Sequence, residues 1–135
     1  MVTYNKFHYY HNATAPPGQP HTLLVKESDA TLLQICWEAP VQSDSHISYY
    51  TITVCNLNST IESNKVITDT TSNMTFYNVT GLLPGTTYEL TVVAVSQGGS
   101  VIAESQASSP ILNTTGVTGR SIVIHIILAI LIYCI

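Results

Sequence analysis

The feature that most constrains this chain is alternation with a period of two. Leu33, Ile35 and Trp37 alternate with Gln34, Cys36 and Glu38. Tyr50, Ile52 and Val54 alternate with Thr51, Thr53 and Cys55. Tyr88, Leu90, Val92 and Ala94 alternate with Glu89, Thr91, Val93 and Val95. Successive side chains of a strand point to opposite faces, so each run reads as a half-buried strand with one apolar face. Shorter runs of the same kind cover Leu23 to Lys26, Lys65 to Thr68 and Phe76 to Val79. Breakers separate them: Ala39-Pro40, Gly81-Leu82-Leu83-Pro84-Gly85, and a loop over Gln97-Gly98-Gly99-Ser100. A last strand is expected within Gln106 to Thr114. Pro110 confines it to a sheet edge or a bulge, because proline has no N–H for a ladder. No segment before Ser121 has a helical period. The pattern predicts an all-β fold of about seven antiparallel strands, a sandwich or a barrel.

Charge narrows the function. The four cations, Lys6, Lys26, Lys65 and Arg120, are scattered, and the formal net charge is -4. Nucleic-acid binding needs several clustered cations to neutralise phosphates, so no nucleic-acid partner is expected. The chemistry of an enzyme is not assembled either. His8 and His11 lack a nearby third ligand for a metal. Asp44-Ser45-His46 holds the residue types of a hydrolytic triad, but contiguous residues cannot form its hydrogen-bonded relay. Gly98-Gly99 lacks the context of a phosphate-cradling loop. The chain is expected not to be an enzyme and to need no cofactor. Three cysteines, Cys36, Cys55 and Cys134, show no Cys-x-x-Cys spacing, which argues against zinc or a redox dithiol.

The order of several spaced features resembles the fibronectin type III family. Pro16-Pro17-Gly18-Gln19-Pro20 precedes Leu23-x-Val25, then come Leu33-x-Ile35-x-Trp37-x-x-Pro40 and Tyr50-x-Ile52. The most specific piece is Leu82-x-Pro84-Gly85-x-x-Tyr88-x-Leu90-x-Val92-x-Ala94-Val95. The resemblance covers residues 16–115 and implies a seven-stranded immunoglobulin-like sandwich of two sheets. It makes Trp37, Tyr50, Leu82 and Tyr88 structural core residues. Tyr88 is expected to be a tyrosine corner, its hydroxyl bonded to the backbone just upstream of its strand. It also places Cys36 and Cys55 on the outer faces of opposite sheets. Sheets pack about 10 Å apart, beyond the roughly 7 Å between Cα atoms that a disulfide tolerates, so the two thiols are expected to be unbonded. The integrin-binding Arg-Gly-Asp found in some members is missing from Ser96 to Val101, and that activity is not carried over.

Five Asn-x-Ser/Thr sequons, at Asn12, Asn58, Asn73, Asn78 and Asn113, are candidates for N-glycosylation. With eight asparagines, and Ser plus Thr below a quarter of the chain, chance gives about two. The excess favours the secretory pathway. The alternation puts Asn78 outward, and Asn58 and Asn73 fall in loops or at strand ends. Residues 1–15 have no apolar run of the signal-peptide kind and read as a leader or as the end of a preceding similar domain. After a linker over residues 116–121, residues 122–135 are apolar except for His125, Tyr133 and Cys134. This run is shorter than the about 20 residues of a spanning helix. It reads either as part of a transmembrane helix or as the apolar tail of a lipid-anchor signal. The expected function is therefore an extracellular, membrane-tethered module that binds a protein ligand in cell adhesion or acts as a receptor spacer. The alternative is the ectodomain of a receptor phosphatase or kinase. An intracellular structural module requires both the sequons and the tail to be accidental. Val41 to His46 and Gln97 to Ala103 are the candidate contact loops, since loops at sandwich ends commonly carry contacts.

Overall fold

A computed structural model describes residues 15–41, 46–61 and 64–117. Its strands are β1 (His21–Ser28), β2 (Leu32–Glu38), β3 (Tyr49–Asn56), β4 (Asn64–Ile67), β5 (Phe76–Thr80), β6 (Thr87–Gly98), β7 (Val101–Glu104) and β8 (Ile111–Thr114). One sheet has the order β1-β2-β5; in the other, β4-β3-β6 is completed by β7 and β8, which both pair with β6. Every pairing is antiparallel. The result is an all-β sandwich of two sheets.

The alternating runs supply the core. Leu33, Ile35 and Trp37 of β2 and Val79 of β5 bury against Tyr50, Ile52 and Val54 of β3 and Leu90, Val92 and Ala94 of β6. Each fully buried aliphatic side chain contributes about 1.5–3 kcal/mol over its exposed state. Trp37 and Tyr50 form the aromatic centre, with ring centroids 5.2 Å apart and planes at 65°, an edge-to-face pair. Leu23 is buried and Val25 half-buried, although β1 shifts register twice against β2.

Three details differ from the sequence reading. The last strand expected within Gln106 to Thr114 is β8, which pairs with Thr87 to Leu90 of β6, and before it comes an unexpected strand, β7, paired with Val95 to Gly98. Between them the ladder runs through serine hydroxyls. Ser108 Oγ accepts the Val92 N–H at 3.0 Å and Ser105 Oγ accepts the Ala94 N–H at 2.9 Å. In return, the N–H groups of Ser108 and Ser105 donate to the carbonyls of Val92 at 2.8 Å and Ala94 at 2.9 Å. Pro110, which has no N–H, stands just before β8. The loop expected over Gln97 to Ser100 is also shorter. Gln97 pairs with Ile102 and Gly98 with Val101, leaving Gly99-Ser100 as a two-residue turn. Gly99 at φ 62° supplies the positive φ that a type II′ turn needs at its first position. Val95 is a further departure: its register places it with Tyr49 and Glu104, outside the core cluster, yet it is fully buried.

The Tyr50 hydroxyl and the Trp37 indole N–H are both buried without a hydrogen-bond partner of good geometry. Tyr50→Phe therefore has no formed bond to lose. In urea unfolding it should change stability by less than about 1 kcal/mol at unchanged slope; a loss above about 2 kcal/mol contradicts the assignment. Burial raises the Tyr50 pKa, and the neighbouring indole N–H lowers it by less. The folded state thus holds this proton more tightly than the unfolded chain does. Its contribution is full below the unfolded value of about 10 and is lost as pH rises through the folded value. Urea midpoints at stepped alkaline pH should show that fall, and Tyr50→Phe should flatten it.

Candidate interaction and glycosylation surfaces

The surfaces are positioned by the corner between β5 and β6. Pro84 fixes its own φ, and Gly85 at φ 61° takes the left-handed position that follows it in a type II turn. Leu82 is buried, and its N–H donates to the Thr31 carbonyl at 3.1 Å. The Tyr88 hydroxyl accepts the Leu83 N–H at 2.9 Å, five residues upstream. This is the geometry of a tyrosine corner.

Thr115 locks the same corner from the other side. Its buried hydroxyl accepts the Thr86 N–H at 3.0 Å and donates to the Leu83 carbonyl at 2.6 Å. Its own N–H donates to the Thr86 carbonyl at 3.0 Å. The Gly85 N–H donates to the Gly116 carbonyl at 3.0 Å, and the Gly116 N–H to the Asp29 carbonyl at 3.1 Å. The chain therefore leaves the domain clamped between the β5–β6 corner and the β1–β2 turn. Sequence reasoning missed this role, because Thr115 reads there only as the hydroxyl of a sequon.

That clamp separates the sequons. Asn58 is exposed after β3, and its Oδ1 accepts the Thr87 N–H at 2.7 Å. Asn73 is exposed in a turn closed by the Met74 N–H on the Thr71 carbonyl at 3.1 Å. Asn78 is exposed in β5, and its Oδ1 accepts the Gln34 Nε2–H at 3.1 Å. Asn113 is half-buried in β8, its Oδ1 is buried without a partner, and the Thr115 of its sequon is the clamp residue. Asn12 lies outside the described residues.

The outer face of the three-stranded sheet carries an apolar row. Leu24, Cys36 and Phe76 are direct cross-strand partners. Leu24 and Phe76 are about half exposed, and Cys36 is half-buried. Beside this row runs a polar one, Glu27, Gln34 and Asn78. Cys55 lies on β3 of the other sheet, and neither Cys36 nor Cys55 is bonded. Tyr77 donates its hydroxyl to both oxygens of Asp69, at 2.9 and 3.0 Å, and Lys65 Nζ donates to the Thr80 carbonyl at 2.8 Å. Both contacts join β5 to the segment around β4, closing one side of the sandwich. Burial, then the hydrogen bond and charge of Asp69, raise the Tyr77 pKa.

A small open cleft of about 250 Å³ sits under the corner, lined by Val54, Asn56, Lys65, Leu82 and Tyr88 among others. It falls below the roughly 300–1,000 Å³ usual for small-molecule sites. Among the described residues, no three His, Cys, Asp or Glu side chains gather as metal ligands. No helix among them is long and apolar enough to cross a membrane. The apolar run over residues 122–135, Cys134 and most of the linker before them lie outside the described residues. Of the two candidate contact loops, Val41 and His46 are exposed and residues 42–45 lie outside the described residues. The other loop is the β6–β7 hairpin.

Tyr88→Phe leaves the Leu83 N–H without its acceptor and should cost about 1–3 kcal/mol in urea unfolding. Thr115→Val keeps the shape and removes the hydroxyl. Because both hydroxyls bond groups of Leu83, the double variant should be non-additive by at least about 0.5 kcal/mol; strict additivity contradicts a shared clamp.

The sequence matches the fibronectin type III domain family over residues 18–111. No curated protein matches it. Among solved structures, the third fibronectin III domain of human KIAA0343 protein is 22% identical with a TM-score of 0.68, the match covering 82% of this chain and 92% of that one. The FN5 domain of Drosophila Lar is 23% identical with a TM-score of 0.57, covering 74% and 97%. The FN1-FN3 domains of chicken CNTN1 are 23% identical with a TM-score of 0.61, covering 75% of this chain and 33% of that three-domain chain. At these identities the structural likeness speaks for the fold, and it agrees with the sequence match and the tyrosine corner. The chain belongs to the fibronectin type III domain family.

Proposed function

We propose that this domain is an extracellular module, tethered at the membrane through its apolar C-terminal segment, that works by protein–protein contact or as a spacer and catalyses nothing. The observation that carries the reading is the placement of the sequons. Three of them, at Asn58, Asn73 and Asn78, put exposed asparagines on three separate parts of the surface. Domains of this family are common in adhesion proteins and receptor ectodomains, which supports it.

The clamp gives the tether a direction. Gly116 is held at the corner, and the apolar run starts at Ile122, six residues on. A fully extended chain spans at most about 3.6 Å per residue, so the corner end lies within roughly 22 Å of the bilayer surface. β6 has 12 residues and runs away from that end, for about 40 Å at 3.4 Å per residue. The β6–β7 hairpin and the segment before β3 form the far end. There Val101 and Ile102 are exposed, and that end is the contact surface for a partner protein.

Surface labelling of the protein in its own cells tests the reading, combined with glycosidase and phospholipase treatment. Labelled protein that loses mass with glycosidase is the expected result, and release by phospholipase selects a lipid anchor over a spanning helix. An unlabelled, unglycosylated protein overturns the proposal in favour of an intracellular module.

A further inference from the structure

We infer that Asn78 carries an N-linked glycan whose first sugar packs on the ring of Phe76, so that the chain's own glycan covers the outer face of the β1-β2-β5 sheet. The inference rests on the extracellular reading above. Phe76 and Asn78 are two residues apart in β5 and share one face, about 7 Å apart along the strand. That face is outward, because Val79 between Asn78 and Thr80 is fully buried. Phe76 is 56% exposed there, with Leu24 at 47% in the same cross-strand row. A large exposed aromatic ring beside an aliphatic side chain is a surface that seeks a cover. A sugar offers a face of C–H groups that stacks on a ring with the same electrostatic sense as an aromatic edge.

Asn78 is already oriented for this cover. Gln34 Nε2–H holds its Oδ1, so the bond leaves Nδ2, the atom that takes the sugar, uncommitted. Among the described residues, β5 is an edge strand of its sheet, paired only with β2. Among the described residues, neither Asn58 nor Asn73 lies in a strand beside an exposed aromatic ring on the same face. Asn113 is the opposite case. Its amide oxygen is buried and the hydroxyl of Thr115 is committed to the clamp, so a chain modified there before folding could not seat this amide, and the folded protein is expected to carry no glycan at Asn113.

The transfer itself is ordinary. A lipid-diphosphate-linked oligosaccharide donates its first N-acetylglucosamine. The bond from that sugar's anomeric carbon to the diphosphate oxygen breaks, and a bond from the anomeric carbon to Nδ2 forms. The lipid diphosphate leaves, and the Nδ2 proton passes to a base of the transferase. Because Val79 is in the core, transfer precedes the pairing of β5, and the folded strand then presents the sugar beside Phe76.

The experiment directs the full chain into the secretory pathway behind a secretory leader and recovers it from the cell, with Thr14→Ala, Thr60→Ala and Thr75→Ala removing three other sequons. Mass spectrometry after enzymatic deglycosylation reads each asparagine, in this variant and in the parent chain. Asn78 modified and Asn113 unmodified is expected. Tm is then compared before and after deglycosylation. The glycan should raise Tm by about 4 °C or more, the size of one aromatic contact in a domain this small. Phe76→Ala should remove at least half of that gap, and Phe76→Trp should keep it. Asn78 unmodified while Asn58 or Asn73 is modified in the parent overturns the inference, as does a gap that Phe76→Ala leaves unchanged. Failure of the extracellular reading is seen separately, as a chain with no modified asparagine in its own cells.

Discussion

The β5–β6 corner is the constraint on which the rest of the structure depends. There the two sheets are joined by the chain crossing from one to the other, and the chain's exit is tied down at the same point. The Tyr88 hydroxyl takes the Leu83 N–H, and the Thr115 hydroxyl takes the Thr86 N–H while donating to Leu83. A partly buried turn would otherwise carry several backbone groups away from water without partners, each costing about 1–3 kcal/mol. With these groups satisfied, the strands on either side keep their register, and register decides which face of each strand enters the core.

Everything outward follows from that choice of face. Val79 and Leu90 point in, so Asn78 and Glu89 point out. The same alternation that builds one continuous core leaves two outer faces and two ends for whatever the domain does. The three-stranded face has an apolar row beside a sequon, and the far end has a two-residue hairpin with exposed Val101 and Ile102. The clamp at Gly116 holds the chain at the corner end.

The parts of this arrangement differ in how far the sequence reveals them. Trp37, Tyr50 and Tyr88 were legible because period-two alternation is local and the Pro-Gly turn before Tyr88 has fixed spacing. Ser105, Ser108 and Thr115 were not. Each hydroxyl serves a backbone group 11 to 29 residues away, and no local pattern announces it. The serine ladder also separates β7, which was not expected, from β8, which was. The sequons show a related limit. Asn78 and Asn113 begin the same Asn-x-Thr pattern, and only the fold separates the exposed amide from the half-buried one.

Native-state hydrogen exchange at the Thr86 and Gly116 amides tests the corner most directly. If the clamp holds the domain as described, both amides exchange only through global unfolding, within about 1 kcal/mol of Ile52 and Leu90 in the core strands. Exchange by local opening, with free energies several kcal/mol lower than those of the core, would show that the corner is a loose connection and not the joint that fixes the faces.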